Sequence, residues 1–190
     1  MTFKKYKKNY FDKYNREIKI LLDSIDNKAR DLLIKKIILI KKNNKIIITG
    51  NGGSASIASH VAVDFTKVLK IRSVNFNEAN LITCFANDYG YENWVAKAFS
   101  NYAVKGDIGI FISSSGKSKN IINGCNYAKK NGIFTVTLSG FKKNNQLYKT
   151  GNLNFWVDSN KYNHVENVHQ IWLLSIIDYL KDFNIKKRYK

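Results

Sequence analysis

At 190 residues with 44% hydrophobic content, the chain is long enough for one domain with a full core and short for two. Its 32 basic against 14 acidic residues, a formal charge of +18, are spread along a proline-free sequence without an aromatic-basic recognition motif; this fits a solvated surface that attracts small anions, with no specific nucleic-acid partner. No apolar run approaches the ~20 residues of a membrane span, the first residues lack a signal-peptide block, and Cys84 and Cys125 have no disulfide or zinc spacing, so a cytoplasmic protein with two buried, reduced thiols is expected.

In chain order, residues 9–43 read as two amphipathic helices broken at Asp26-Asn27, with Ile18, Leu21, Leu22 and Ile25 in one apolar set and Leu32, Leu33, Ile37 and Ile38 in the other. They carry more apolar surface than one sheet needs, so part of it is expected to face another subunit. A first strand at 45–49 runs into the turn Gly50-Asn51-Gly52-Gly53-Ser54-Ala55-Ser56, and a helix follows over about 56–69. Strand, glycine turn and helix make a phosphate-cradle layout, because glycines let the backbone approach a ligand and the first helical amides are unpaired. On that helix His60 and Asp64 are four apart and share a face, a spacing that suits a metal, an acid-base pair or a plain surface ion pair. Asn87-Asp88-Tyr89-Gly90 reads as a loop between two helical patterns, where the Asn and Asp side chains could bind hydroxyls or cap a helix.

A second buried strand at 108–112 ends in Ser113-Ser114-Ser115-Gly116-Lys117-Ser118, from which a helix starts. Four hydroxyls with helix-start amides are more than an N-cap needs, so this loop is the stronger phosphate cradle. Strands at 133–138 and 154–157 follow, and a last helix over 164–183 places Glu166 and His169 on a shared face. Strands alternating with helices predict a three-layer αβα sandwich, with a mostly parallel sheet, an N-terminal helical hairpin at 1–43, a core at 44–184 and a solvated basic tail at 185–190. Both cradles fall at the carboxyl ends of the strands, where ligands bind in such folds.

Together, Asn51-Gly52-Gly53-Ser54, His60, Asn87-Asp88, the Ser113 to Ser118 loop and Glu166-Asn167-Val168-His169 resemble the sugar isomerase (SIS) domain superfamily, and more narrowly its phosphoheptose isomerases. The resemblance implies one flavodoxin-like domain assembled as a homotetramer with sites between subunits. It implies conversion of sedoheptulose 7-phosphate to D-glycero-D-manno-heptose 7-phosphate through an enediol, with no nucleotide cofactor. Ser113, Ser114, Ser115 and Ser118 would then hold the phosphate, while Asn51, Gly52, Gly53, Ser54, Asn87 and Asp88 would bind the sugar. Asp64, Glu166 and His169 would handle protons; some members hold zinc, for which His60, Asp64 and Glu166 are the matching set.

Three positions depart from the family pattern. Asp64 stands where the family has glutamate, Glu166 where it has glutamine, and Leu174 where it has a histidine eight residues further on. Pairing Gln170 with Asp178 would recover that spacing, but the neighbouring Val165-Glu166-Asn167-Val168-His169 pattern argues against the shift. Two classes therefore stand: a phosphosugar aldose-ketose isomerase, favoured because carboxylates remain at both positions, and a noncatalytic phosphosugar-binding relative.

Overall fold

The long apolar runs of this sequence become strands buried on both faces. β1 (Ile46–Gly50) and β3 (Ile108–Ser113) are buried at every residue, and β4 (Phe134–Ser139) at all but its first, the signature of parallel strands covered by helices on both sides. With β2 (Ser73–Asn75) and β5 (Leu153–Trp156) they form one sheet in the order β2-β1-β3-β4-β5, and every pair is parallel. Alternate side chains point to opposite faces. Ile46, Ile48, Ile108, Ile110 and Ile112 thus join one core cluster, while Ile47 and Phe111 join the other. The structure is a computed structural model and describes residues 3–183, the side chains of 3–6 and 8 excepted. The basic tail expected at 185–190 lies outside the described residues.

α1 (Phe3–Asp23), α2 (Asn27–Ile38), α3 (Gly53–Lys67) and α7 (Tyr162–Asp182) contribute to the first cluster; α5 (Trp94–Tyr102) and α6 (Lys119–Lys130) contribute to the second. The three αβα layers are as the sequence implies, with the sheet wholly parallel. The break between the first two helices falls at Asp26, whose carboxylate accepts from the Lys28 and Ala29 amides as the N-cap of α2. α1 is tied to α7 by the Trp172 indole donating to the Leu22 carbonyl at 3.1 Å, and by Glu17 receiving Lys161 Nζ at 2.7 Å.

Several details differ from the sequence reading. β2 was not anticipated, being a three-residue edge strand without an apolar run. α3 begins at Gly53, three residues earlier than expected, because the glycines themselves form its first turn. Residues 87–89 are no loop: they form the last turn of α4 (Ala79–Tyr89), which Gly90 ends with φ 82°. Cys84 is exposed on α4 rather than buried, whereas Cys125 is buried and its thiol is pushed up to about 12 by desolvation. Among the described residues no helix is long and apolar enough to cross a membrane.

Candidate active site

The carboxyl ends of β1, β3 and β4 deliver three loops to one side of the sheet. From β1 the chain makes its turn with Gly52 at φ 55°, a conformation that L side chains rarely adopt. α3 then folds back so tightly that a side chain on Gly50 would meet Ser54 at 2.7 Å. Gly52, the N-cap, has no side chain to occupy the first amides of α3. Asn51 is fixed across the site by a reciprocal pair: its amide donates to Asn120 Oδ1 at 2.9 Å and its oxygen receives Asn120 Nδ2 at 2.9 Å. Asn120, buried in the first turn of α6, thereby locks the two helix N-termini together.

The serine loop is built as a cradle in its own right. Ser113 donates its hydroxyl to Ser118 Oγ at 3.0 Å, and Ser118, the N-cap of α6, makes no side-chain bond to its own helix. The first amides of α6 therefore stay uncapped by that hydroxyl, facing the position an anion would take. Gly116 turns the loop at φ 65°, where a side chain would collide with Asn145. Asn145 is the brace: its buried amide donates to Ser139 Oγ at 3.0 Å, the Gly140 carbonyl at 3.2 Å and the Lys142 carbonyl at 2.9 Å, while its oxygen receives the Tyr148 amide at 2.8 Å. Neither Asn120 nor Asn145 stood out in the sequence.

α7 runs beside α3 and supplies the acidic group. The Ser114 hydroxyl donates to Glu166 Oε1 at 3.4 Å, and the Glu166 carboxylate lies so close over Gly53 that a methyl there would overlap it. Glu166 thus joins the glycine turn to the serine loop. One turn further along α7, Gln170 Nε2 approaches His60 Nδ1 at 3.3 Å, and on the other side of that ring His60 Nε2 stands 3.5 Å from Asp64 Oδ2. The His60 side chain is half exposed and that of Asp64 27% exposed. Exposed Val63 and Ile171 flank them on the same two helices.

Three expectations change. His169 is fully buried; its Nε2–H donates to the Ser139 carbonyl at 3.2 Å, and desolvation lowers its pKa to about 4. A neutral imidazole sealed between α7 and β4 does not reach a ligand, so His169 holds the end of β4 rather than moving protons. Asn87 and Asp88 are exposed on the last turn of α4, where the Asn87 amide donates to Asp88 Oδ1 at 2.9 Å. No hydrogen bond among the described residues joins them to either cradle; Tyr91, just beyond, donates instead to Asn51 Oδ1 at 3.4 Å. Finally, the zinc set does not assemble. His60 and Asp64 meet, but the Glu166 carboxylate sits at Gly53 and Ser114, and no group of three His, Cys, Asp or Glu at metal-binding spacing occurs among the described residues. Leu174 is half-buried and packed against the larger core cluster.

Comparison with known proteins places this chain in a family. The SIS domain profile matches residues 9–140. Over 180 residues, 90% of this chain and 92% of the other, the sequence is 30% identical to a phosphoheptose isomerase of Fusobacterium nucleatum. The chain belongs to the phosphoheptose isomerase family of SIS-domain proteins. A phosphoheptose isomerase 2 of Campylobacter jejuni is 40% identical over 106 residues, about half of each chain. In fold, the structure is similar to a phosphoheptose isomerase from Neisseria gonorrhoeae, with a TM-score of 0.85 at 21% identity covering 95% of this chain and all of the other. It also resembles the Vibrio vulnificus NanR protein complexed with ManNAc-6P, with a TM-score of 0.70 at 15% identity, over 95% of this chain and 67% of that one. The structure puts Asp64 and Glu166 on the groove between α3 and α7.

Proposed function

We propose that the chain is a phosphosugar aldose-ketose isomerase whose substrate is sedoheptulose 7-phosphate and whose product is D-glycero-D-manno-heptose 7-phosphate. One observation carries the reading: polar groups are arrayed along the α3–α7 groove at increasing distance from the serine cradle, with Glu166 at its mouth and the Gln170–His60–Asp64 contact below. His60 follows Gly53 by seven residues, which at the helical rise is about 10 Å. That separation is of the order of the extended carbon chain of a seven-carbon sugar, running from the glycine turn towards His60.

In this arrangement Ser113, Ser114, Ser115 and Ser118 with the α6 amides hold the phosphate. Asn51, Gly52, Gly53, Ser54 and the Glu166 carboxylate orient the hydroxyls of the sugar. Asp64 takes the C1 proton; the electrons of the broken C–H bond form a C1–C2 double bond and the C2 oxygen gains a proton from water. The enediol then returns the proton of its C1 oxygen to water, and Asp64 delivers the carbon proton to C2, leaving the aldehyde and the Asp64 carboxylate as it began. The half-exposed His60, with Val63 and Ile171 beside it, supports a second copy of the chain closing the groove within a homotetramer.

A second reading, a noncatalytic phosphosugar-binding protein, is favoured by Leu174, which can neither move a proton nor bind a metal. Turnover of sedoheptulose 7-phosphate separates the two, and Asp64→Asn and Glu166→Gln assign the roles. Loss of at least about a hundredfold in kcat for the Asp64 variant, with Glu166→Gln raising KM, is the expected pattern. Binding of the sugar phosphate without turnover by the unaltered protein would select the second reading.

A further inference from the structure

Asn120 is the second residue of α6 and only 2% exposed, and its main chain and side chain have separate tasks. The first helical bond of α6 runs from the Ile122 amide to the Ser118 carbonyl, so the Asn120 amide stands before it, among the donors without an intrahelical partner at the phosphate cradle. The Asn120 carboxamide instead reaches across to Asn51 in the glycine turn and forms two bonds of 2.9 Å with it. Exchanging oxygen and nitrogen in both side chains would leave the same two bonds, whereas exchanging them in one alone would set hydrogen against hydrogen and oxygen against oxygen. The pairing therefore holds whichever way the two amides are turned together. Asn51 is enclosed further by Tyr91, whose hydroxyl lies 3.4 Å from Oδ1. The segment carrying Tyr91 is itself tied to α6, because Asn123, three residues beyond Asn120, donates to the Glu92 carbonyl at 3.0 Å. A free asparagine loses rotamer freedom when it meets a ligand; Asn51 has lost it on folding.

We propose that Asn120 is a positioning residue: it holds the Asn51 carboxamide beside the phosphate cradle, so that a phosphate monoester of a polyhydroxylated chain is bound in preference to the bare anion. A carboxamide has two N–H hydrogens and the pair engages one of them. The second on Asn51 is left for a hydroxyl of the chain that the phosphate carries. Asn120 thus acts on the sugar through Asn51 and on the phosphate through its own main chain. Truncating its side chain removes the first action and spares the second, and once the Asn51 carboxamide is gone the Asn120 side chain has nothing left to contribute to the sugar.

The role rests on the placement of Asn51 at the sugar in the proposed function, and two probes separate the tasks in the full-length protein. One is inorganic phosphate; the other is the heptitol 7-phosphate made by borohydride reduction of sedoheptulose 7-phosphate, which has no carbonyl to isomerise. Calorimetric titration of the parent, Asn51→Ala, Asn120→Ala and the double variant completes a cycle. Asn120→Ala should weaken the heptitol phosphate about threefold to tenfold, the worth of one oriented hydrogen bond, and leave inorganic phosphate within about twofold. The double variant should bind the heptitol phosphate within about twofold of Asn51→Ala. Losses in the single variants that multiply in the double would overturn the proposal. So would a loss for inorganic phosphate equal to that for the heptitol phosphate, or equal affinity of the parent for the two probes. Asn120→Ser keeps a hydroxyl at the buried position without reaching Asn51, and it takes the place of Asn120→Ala in the cycle if thermal melts show the alanine variant unfolded. Turnover of sedoheptulose 7-phosphate is measured separately: its absence removes the isomerase reading and leaves the cycle to decide the role of Asn120, while turnover with a multiplicative cycle removes that role alone.

Discussion

Replacing Gly53 by alanine is a one-methyl test of the site. The added Cβ would overlap the Glu166 carboxylate and meet no backbone among its three nearest atoms, so the side chain of Glu166 must move and the main chain need not. Gly53 is the first residue of α3 and its φ does not lie in the left-handed region, so alanine carries no backbone strain there. Helix propensity favours alanine by up to about 1 kcal/mol. Against this stands the hydrogen bond from Ser114 Oγ to Glu166 Oε1, which at 3.4 Å is long and of at most comparable value. The two terms nearly cancel, and for a chain of this size a residual of about 1 kcal/mol moves Tm by only about 2–4 °C. Displacing a carboxylate that holds substrate hydroxyls should instead cost about 1.5–3 kcal/mol of binding, or roughly tenfold to a hundredfold in kcat/KM. Steady-state kinetics beside a thermal melt reads both quantities. A kcat/KM within about twofold of the parent would refute the placement of Glu166 at the substrate, and a fall in Tm beyond about 10 °C would refute the claim that only a side chain is displaced. Gly52→Ala provides the contrast: it has open space but φ 55°, so it should destabilise by about 1 kcal/mol through backbone strain alone.

Asn145→Ala should cost about 2–4 kcal/mol in denaturant unfolding, because several buried polar groups would be left without a partner, and should raise KM for the phosphosugar by loosening the serine loop; unchanged stability and KM would remove Asn145 as the brace. His169 gives a pH signature. Its folded pKa of about 4 lies below the ordinary 6.5, so between those values the unfolded state binds the extra proton, and stability rises with pH across that window. The cost of acidifying from neutrality to pH 4 is about 3 kcal/mol from this group. Asp107 acts in a lower window: burial raises its pKa, but Lys45 and three N–H donors more than offset this, and the lowered carboxylate pKa costs stability only as pH falls through it. Unfolding curves for His169→Gln should therefore be flatter between pH 6.5 and 4; an unaltered slope would contradict a buried, neutral His169.

The sheet was legible wherever burial on both faces demanded an unbroken apolar run, as at Ile46-Ile47-Ile48 and Ile110-Phe111-Ile112. β2 was not, because an edge strand of three residues needs no such run. Both cradles could be read locally, since positive φ and close approach select glycine, and anion-facing helix starts select hydroxyls. Their braces could not. Asn120 and Asn145 act on residues brought near by tertiary folding, and nothing in their local sequence marks them. α7 shows the limit of helical spacing. Glu166, His169 and Gln170 are all near neighbours on the helix surface, yet positions three and four apart diverge to opposite sides by about 60° and 40°. Glu166 and Gln170 consequently face α3, while His169 turns in towards β4. The crossing of α3 and α7 decided which of them face the groove between those helices.

The central claim is tested most directly by incubating the protein with sedoheptulose 7-phosphate in D2O and following the proton NMR spectrum. The account predicts growth of the D-glycero-D-manno-heptose 7-phosphate signals and solvent deuterium at C1 of the ketose and C2 of the aldose, as transfer through an enediol requires. Neither product nor exchange over hours, with the sugar phosphate bound, would contradict it.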